Sequence, residues 1–284
     1  MLDGLNKDFR FAFRQLWHKP GFTAVAIAVL SLGLGANAAI FSVVNAALLR
    51  PLPFPHPEKL LALFEKDVLP NDPYNDVAPG NYLDWSRVAR NFEQIAATTG
   101  KSFNLSSSSE SFSPRRVPGA LCSANLFETL GIQPVIGRTF RRDEDRPGAP
   151  YVVVISYALW KQRFAGSPDI LHQEIRLDEN NYRIIGVMPQ GFAYPNRKDN
   201  VWVTLQRHLT IRQLESHDNH GLFVIGRLRS DRTIEQGRQE IDAIVRRYKK
   251  RIPRRSWAKA RAQYVSIGIW STMSRLPYSF CLRL

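Results

Sequence analysis

The sequence predicts an α+β fold: one N-terminal transmembrane helix, preceded by an amphipathic interfacial helix and followed by an α+β domain outside the cytoplasm. Three observations carry this. Residues 22–49 (FTAVAIAVLSLGLGANAAIFSVVNAALL) hold no charge and lie between Lys19 and Arg50. Strand-like and helix-like segments alternate after residue 59, with hairpin signals among them. The positive charge is confined to the end of the chain, so it says nothing about the domain.

The uncharged stretch would run roughly 42 Å as a helix, longer than the ~30 Å hydrocarbon core of a bilayer. Residues 21–50 are therefore the expected span. Lys7, Arg10, Arg14 and Lys19 precede it, against Arg50, Lys59 and Lys66 after it. That bias puts the N-terminus in the cytoplasm and the main domain outside, in the periplasm where there is one. Ala36-Asn37-Ala38 resembles a signal-peptidase site, but the apolar run continues through Ile40, Phe41, Val43, Val44, Leu48 and Leu49. In residues 1–20, Leu5, Phe9, Phe13, Leu16 and Trp17 recur at helical spacing, with Lys7, Arg10, Arg14 and His18 opposite. Such a helix lies in the headgroup plane or packs on a partner. Pro20-Gly21 turns the chain into the span.

Residues 51–58 (PLPFPHPE) are a stiff, proline-rich exit. Strands are expected at 59–65, 92–99, 117–121, 151–155, 174–178, 182–187, 201–205 and 221–229, with Glu179-Asn180-Asn181 as a hairpin turn. Helices are expected at 78–90, 124–130, 157–164 with Ser156 as N-cap, and 233–248. In the last of these Ile234, Ile241, Ile244, Val245 and Tyr248 share a face. The core domain is thus bounded at 51–248. Gly137-Arg138-Thr139 reads as a turn before Phe140. Loops are expected at 106–116, with its four serines, and at 141–149 (RRDEDRPGA). These two loops are the places to look for a binding surface.

The formal charge is +14. From Arg246 onward there are eleven basic residues and no acidic one, so 28 of the 39 basic residues remain elsewhere against 25 acidic ones. No phosphate-binding footprint is implied and no nucleic-acid partner is expected. Cys122 and Cys281 make neither a disulfide framework nor a metal spacing, and Cys122 reads as a small core residue. Of six histidines, only His217 and His220 are close in sequence, and no further ligand completes a metal site. Asp143, Glu144 and Asp145 lack the spacing of a calcium loop. There is no nucleophile elbow and no phosphate loop. No catalytic, cofactor-binding or metal residue is assigned, no cofactor is implied, and no enzyme is expected.

Several segments in order resemble one family, the MacB-like ABC-transporter permeases of the FtsX/LolC/MacB superfamily, nearest to the acidobacterial orphan-permease type. Residues 20–60 (PGFTAVAIAVLSLGLGANAAIFSVVNAALLRPLPFPHPEKL) look like the first transmembrane helix and its exit. Residues 81–97 (NYLDWSRVARNFEQIAA) look like the first periplasmic helix and strand. Residues 123–145 (SANLFETLGIQPVIGRTFRRDED), 152–170 (VVVISYALWKQRFAGSPDI), 182–195 (YRIIGVMPQGFAYP) and 199–205 (DNVWVTL) resemble the periplasmic core, and 220–244 the helix leading back to the membrane. The resemblance implies a bacterial inner-membrane permease component, with a MacB-like periplasmic core domain that transmits force in efflux. Its implied partners are membrane lipid, a cytoplasmic ABC ATPase subunit, a second copy or paired permease, and a periplasmic adaptor or substrate protein.

Near residue 249 both the resemblance and the acidic residues stop. Residues 249–284 are expected to be a disordered or frame-shifted basic tail, and the chain a truncated, non-transporting permease fragment. The alternatives are a stand-alone single-pass scaffold with a periplasmic protein-binding domain and a binding protein released after Ala38. An ordered end with its own core would favour the scaffold, and only Trp257, Tyr264, Ile267, Ile269 and Trp270 are available to build one.

Overall fold

The computed structural model describes residues 14, 16–44, 54–66, 75–106, 114–249 and 264–269. The chain divides into two compact units, Met1–Pro51 and Leu52–Leu284.

The first unit holds helix α1, Pro20–Val44. Its stretch Pro20–Ser42 is long and apolar enough to cross a membrane. Pro20 has no N–H to offer the carbonyl of Leu16 four residues back. The Thr23 hydroxyl takes its place, donating to Leu16 O at 2.7 Å and Lys19 O at 3.0 Å. The span expected out to residue 50 runs beyond the described residues. Of the interfacial helix expected at 1–20, Arg14 and residues 16–18 are helical, Lys19 is not, and Pro20 already belongs to α1; residues 1–13 and 15 lie outside the described residues.

The second unit opens with β1 (Leu60–Lys66), α2 (Pro79–Val88), β2 (Phe92–Ser106), β3 (Arg115–Cys122) and α3 (Leu126–Leu130). It continues through β4 (Ile136–Gly137), β5 (Val152–Ile155), α4 (Tyr157–Phe164), β6 (Glu174–Leu177), β7 (Asn180–Val187) and β8 (Val201–Thr204). Helix α5 (Ile211–Leu214), β9 (Phe223–Leu228), α6 (Ile234–Lys249) and β10 (Tyr264–Ile269) complete it. The sheet order is β10-β1-β9-β2-β3-β8-β5-β7-β4, and β6 pairs with both β7 and β2. That double pairing closes β2, β3, β8, β5, β7 and β6 into a ring. Strand β2 makes it possible: at ~3.3 Å per residue its 15 residues pair with β9 over their first half and with β6 at Leu105 and Ser106.

One apolar cluster fills the ring and the sheet face under α2 and α6, with Phe103, Leu177, Ile184, Trp85 and Ile241 all buried. The other lies on the opposite face under α3, where Phe127 and Trp202 are fully enclosed. Trp202 donates its indole N–H to Tyr194 O at 2.8 Å and meets Phe127 edge-on at 6.1 Å. Cys122 is buried there as a small core residue. The mixed helix-and-strand architecture is the α+β class the sequence predicts, and the apolar face of α6 packs as its periodicity requires.

Local differences have physical causes. The β6–β7 turn is Asp178-Glu179 rather than residues 179–181, because Leu177 pairs directly with Asn180. Asp178 takes a φ of 53° and its carboxylate accepts the Asn104 N–H at 2.9 Å, fixing the turn to β2. Gly137, expected to open a turn at 137–139, instead ends a short edge strand, Ile136–Gly137, on β7. Helix α5 is too short to show periodicity; Thr210 and Gln213 cap it reciprocally. Strand β10 lies antiparallel to β1, with Ile269 opposite Leu61. It contains Tyr264, Ile267 and Ile269, while Trp257 and Trp270 lie outside the described residues.

Candidate functional site

Among the described residues, polar side chains with long-range partners gather at the entry end, around the histidine pair and in the 141–149 loop. The first is the entry end of the domain, where the chain arrives from the proline-rich exit. Pro55 and Pro57 lack N–H groups, so the segment's own backbone bonds are limited to a 3-10 turn at Pro57–Lys59, closed by Lys59 N–H to His56 O at 3.0 Å. It is also held from outside. The Phe54 ring meets Tyr194 edge-on at 6.2 Å. Arg227, on β9, donates Nη1–H to Pro55 O at 3.1 Å and Nε–H to Thr129 O at 2.7 Å. Lys59 donates to Ser230 O and Arg232 O, each at 3.2 Å. Helix α6 therefore starts at this end, and β9 and β10 both finish near it. Burial pulls the Arg227 guanidinium down in pKa, and the Glu93 and Glu58 carboxylates pull it back.

The second is the histidine pair. The structure does not bring His217 and His220 onto a common ligand position. His220 Nε2 sits 2.9 Å from the Glu65 carboxylate on β1, and His217 Nε2 lies 3.1 Å from Asp84 on α2. Glu65 is 1 % exposed. It also accepts the Ala78 N–H at 2.9 Å and the Asn81 amide at 2.7 Å. Ala78 is the N-cap position of α2 and has no capping side chain, so Glu65 caps that helix from another strand. The pair thus ties the 215–222 loop to β1 and α2. Among the described residues no three His, Cys, Asp or Glu side chains converge as a metal site.

The third is the loop at 141–149. Two of its three acidic residues, Glu144 and Asp145, face inward. Glu144 accepts both Arg138 Nη groups, at 2.8 and 2.6 Å, and the Arg141 N–H at 2.8 Å. Burial pushes its carboxyl up, but these bonds outweigh burial and the net shift is down. Asp145 accepts from Ala124 N at 3.1 Å and Gln206 N at 2.7 Å, joining the ends of β3 and β8. Burial is the larger effect on Asp145 and holds its carboxyl above the usual range. Arg141, Arg142, Asp143 and Arg146 remain exposed. Of the 106–116 loop, residues 107–113 lie outside the described residues.

Asp199 is a fourth polar position that no sequence pattern marks. Burial raises its carboxyl from the ordinary 3.8 to about 6, against the pull of the Asn196 N–H. The folded chain thus holds a proton that the unfolded chain releases between those two values. Stability gained from that proton is present below the lower value and lost as pH rises through the upper one. Asp199→Asn is expected to stabilise the protein by about 1 kcal/mol at pH 7.5, allowing for partial solvation, and to be neutral near pH 4. Chemical denaturation of wild type and variant at both pH values checks this; an equal effect at both would sink the assignment.

These features define a class: a mixed α/β domain with a partly closed sheet, joined by a proline-rich segment to an apolar helix of membrane-spanning length. The model of the MacB-like periplasmic core domain matches residues 23–244, and the chain belongs to that family, a domain of ABC-transporter-type permeases. A domain of a putative permease protein from Porphyromonas gingivalis superposes with a TM-score of 0.56 at 16% identity, covering 77% of this chain and 92% of that one. The periplasmic region of MacB from Actinobacillus actinomycetemcomitans gives 0.54 at 13% identity, over 81% and 94%. At such identities the likeness is one of fold. No curated protein matches by sequence.

Proposed function

We propose that the chain is a membrane-anchored permease component of a MacB-type ABC transporter. Its periplasmic domain carries movement of membrane helices outward and performs no catalysis itself. The observation that carries the reading is the family match, which runs without interruption from within the apolar helix to Ile244. The apolar stretch Pro20–Ser42 supports an anchor in the inner membrane. The entry end supports transmission, because the chain that leaves the span continues into β1 through a segment fastened on three sides. The working partners are then membrane lipid, a cytoplasmic ABC ATPase subunit, a second permease copy and a periplasmic adaptor or substrate protein. Efflux is the transport mode that goes with this set.

The experiment is expression of the full chain with an N-terminal tag in a Gram-negative host. Membranes are fractionated, spheroplasts are treated with protease, and a cognate ATPase is sought by co-purification. The chain is expected in the inner membrane, its domain cleaved only after outer-membrane removal and its tag protected. Recovery in the soluble fraction, or a protected domain with a cleaved tag, would overturn the anchor and its orientation. Failure of every co-encoded ATPase to co-purify would overturn the transporter assignment.

A further inference from the structure

We propose that Arg227 is the clasp that makes the membrane-exit segment and the sheet one rigid body. Between Phe54 and Lys59 two of six positions are proline; a 3-10 turn gives His56 O the Lys59 N–H and Pro57 O the Leu60 N–H, and the Pro55 carbonyl takes its donor from elsewhere. Arg227 supplies it, and with a second nitrogen reaches Thr129 O at the C-terminal turn of α3. The guanidinium thus bridges two carbonyls on segments that are 74 residues apart in sequence, Pro55 and Thr129.

Close packing surrounds this bridge. A Cβ on Gly131, which ends α3 at a φ of 72°, would come within 3.2 Å of the Pro55 ring. The remaining nitrogen, Nη2, is buried with no hydrogen-bond partner among the described residues. A buried donor without an acceptor is costly, and lysine, a point donor, would avoid it. Lysine is not a planar fork and cannot reach two carbonyls in fixed directions at once. The arginine geometry is suited to joining the two segments. Its role in transmission rests on the reading of the chain as a permease component; the clasp itself does not.

The test is pulsed electron spin resonance on the full chain in nanodiscs, carrying C281S. One spin-label pair at E58C and E128C spans the clasp. A control pair at Q162C and R183C, on α4 and β7, involves neither segment that the clasp joins. Arg227→Met and Arg227→Lys are expected to broaden the clasp-pair distance distribution on the order of twofold, since a local fastening is lost while the core stays closed. The control pair is expected to keep its width in both variants. An unchanged clasp pair in either variant would overturn the proposal. So would equal broadening of both pairs, which would make Arg227 an ordinary stabilising residue. If Arg227→Met does not fold, the lysine variant alone decides between these outcomes. No ATPase is present, so a failed transporter assignment leaves this measurement intact, and a failed clasp leaves the assignment standing.

Discussion

Replacing Glu65 by Leu is expected to lower the stability of the folded domain by about 3–5 kcal/mol, the range for removing one partner of a buried charged network. The reason is the number of donors that converge on it. One oxygen takes the Ala78 N–H and the Asn81 amide, and the other takes His220. Leucine matches the volume and the apolar strand around it, where Leu61, Leu63 and Phe64 are already buried. It offers none of the three bonds. The first turn of α2 loses its cap and the 215–222 loop loses its hold on β1. For a domain of this size the melting temperature is expected to fall by roughly 10 °C. Glu65→Gln retains one acceptor oxygen and is expected to lose about half as much. Thermal unfolding of the full-length variants in the same detergent checks both. A leucine variant as stable as wild type would show that the carboxylate is dispensable and that α2 is capped by other means.

Glu65 also shows where sequence reasoning stops. In KLLALFE it stands at the end of an apolar run, where a charge usually marks the return to solvent. Its burial follows from Ala78, Asn81 and His220, which are 13, 16 and 155 residues away. Elements whose cause is local were legible. Ser156 accepts the Leu159 N–H at 3.1 Å, and α4 runs over the predicted residues. Helix α6 follows its own apolar spacing, and α1 follows its freedom from charge. The 141–149 loop went the other way. Its charge density reads as solvated, yet Glu144 and Asp145 are turned inward to hold Arg138 and the ends of two strands. The closing of the sheet through β6 was not legible either, because it depends on β2 being long enough to serve two partners. In the candidate site, the two histidines were visible as a pair, but the carboxylates that separate them come from β1 and α2. The entry clasp has only its prolines to mark it in the sequence; nothing there singles out Arg227 within the strand expected at 221–229.

Gly137→Ala is the second large expected effect, a loss of at least about 3 kcal/mol. Two terms add. Gly137 sits at a φ of 77°, a left-handed conformation that costs an L-residue with a Cβ roughly 1–2 kcal/mol. A Cβ there would also stand within touching distance of backbone: 3.0 Å from Ile185 C, and closer still to Ile185 O. Backbone does not give way as a flexible side chain does, so β4 has to lift from β7. That movement strains the Arg138 N–H bond to Ile185 O at 2.9 Å and shifts the Arg138 guanidinium from Glu144. The carboxylate is 6 % exposed, so its loss of partners is not made good by water. The damage is therefore expected to spread from one methyl group to the whole 138–145 segment. Limited proteolysis of the full-length chain with trypsin gives the sharpest readout, with new cleavage after Arg141 or Arg142 at protease levels that leave wild type intact there. Arg138→Met is the companion, expected to open the same sites without disturbing β4. If Gly137→Ala melts like wild type and stays uncut, the edge strand is not held against β7 in solution, and the inward turn of Glu144 is not what secures the loop.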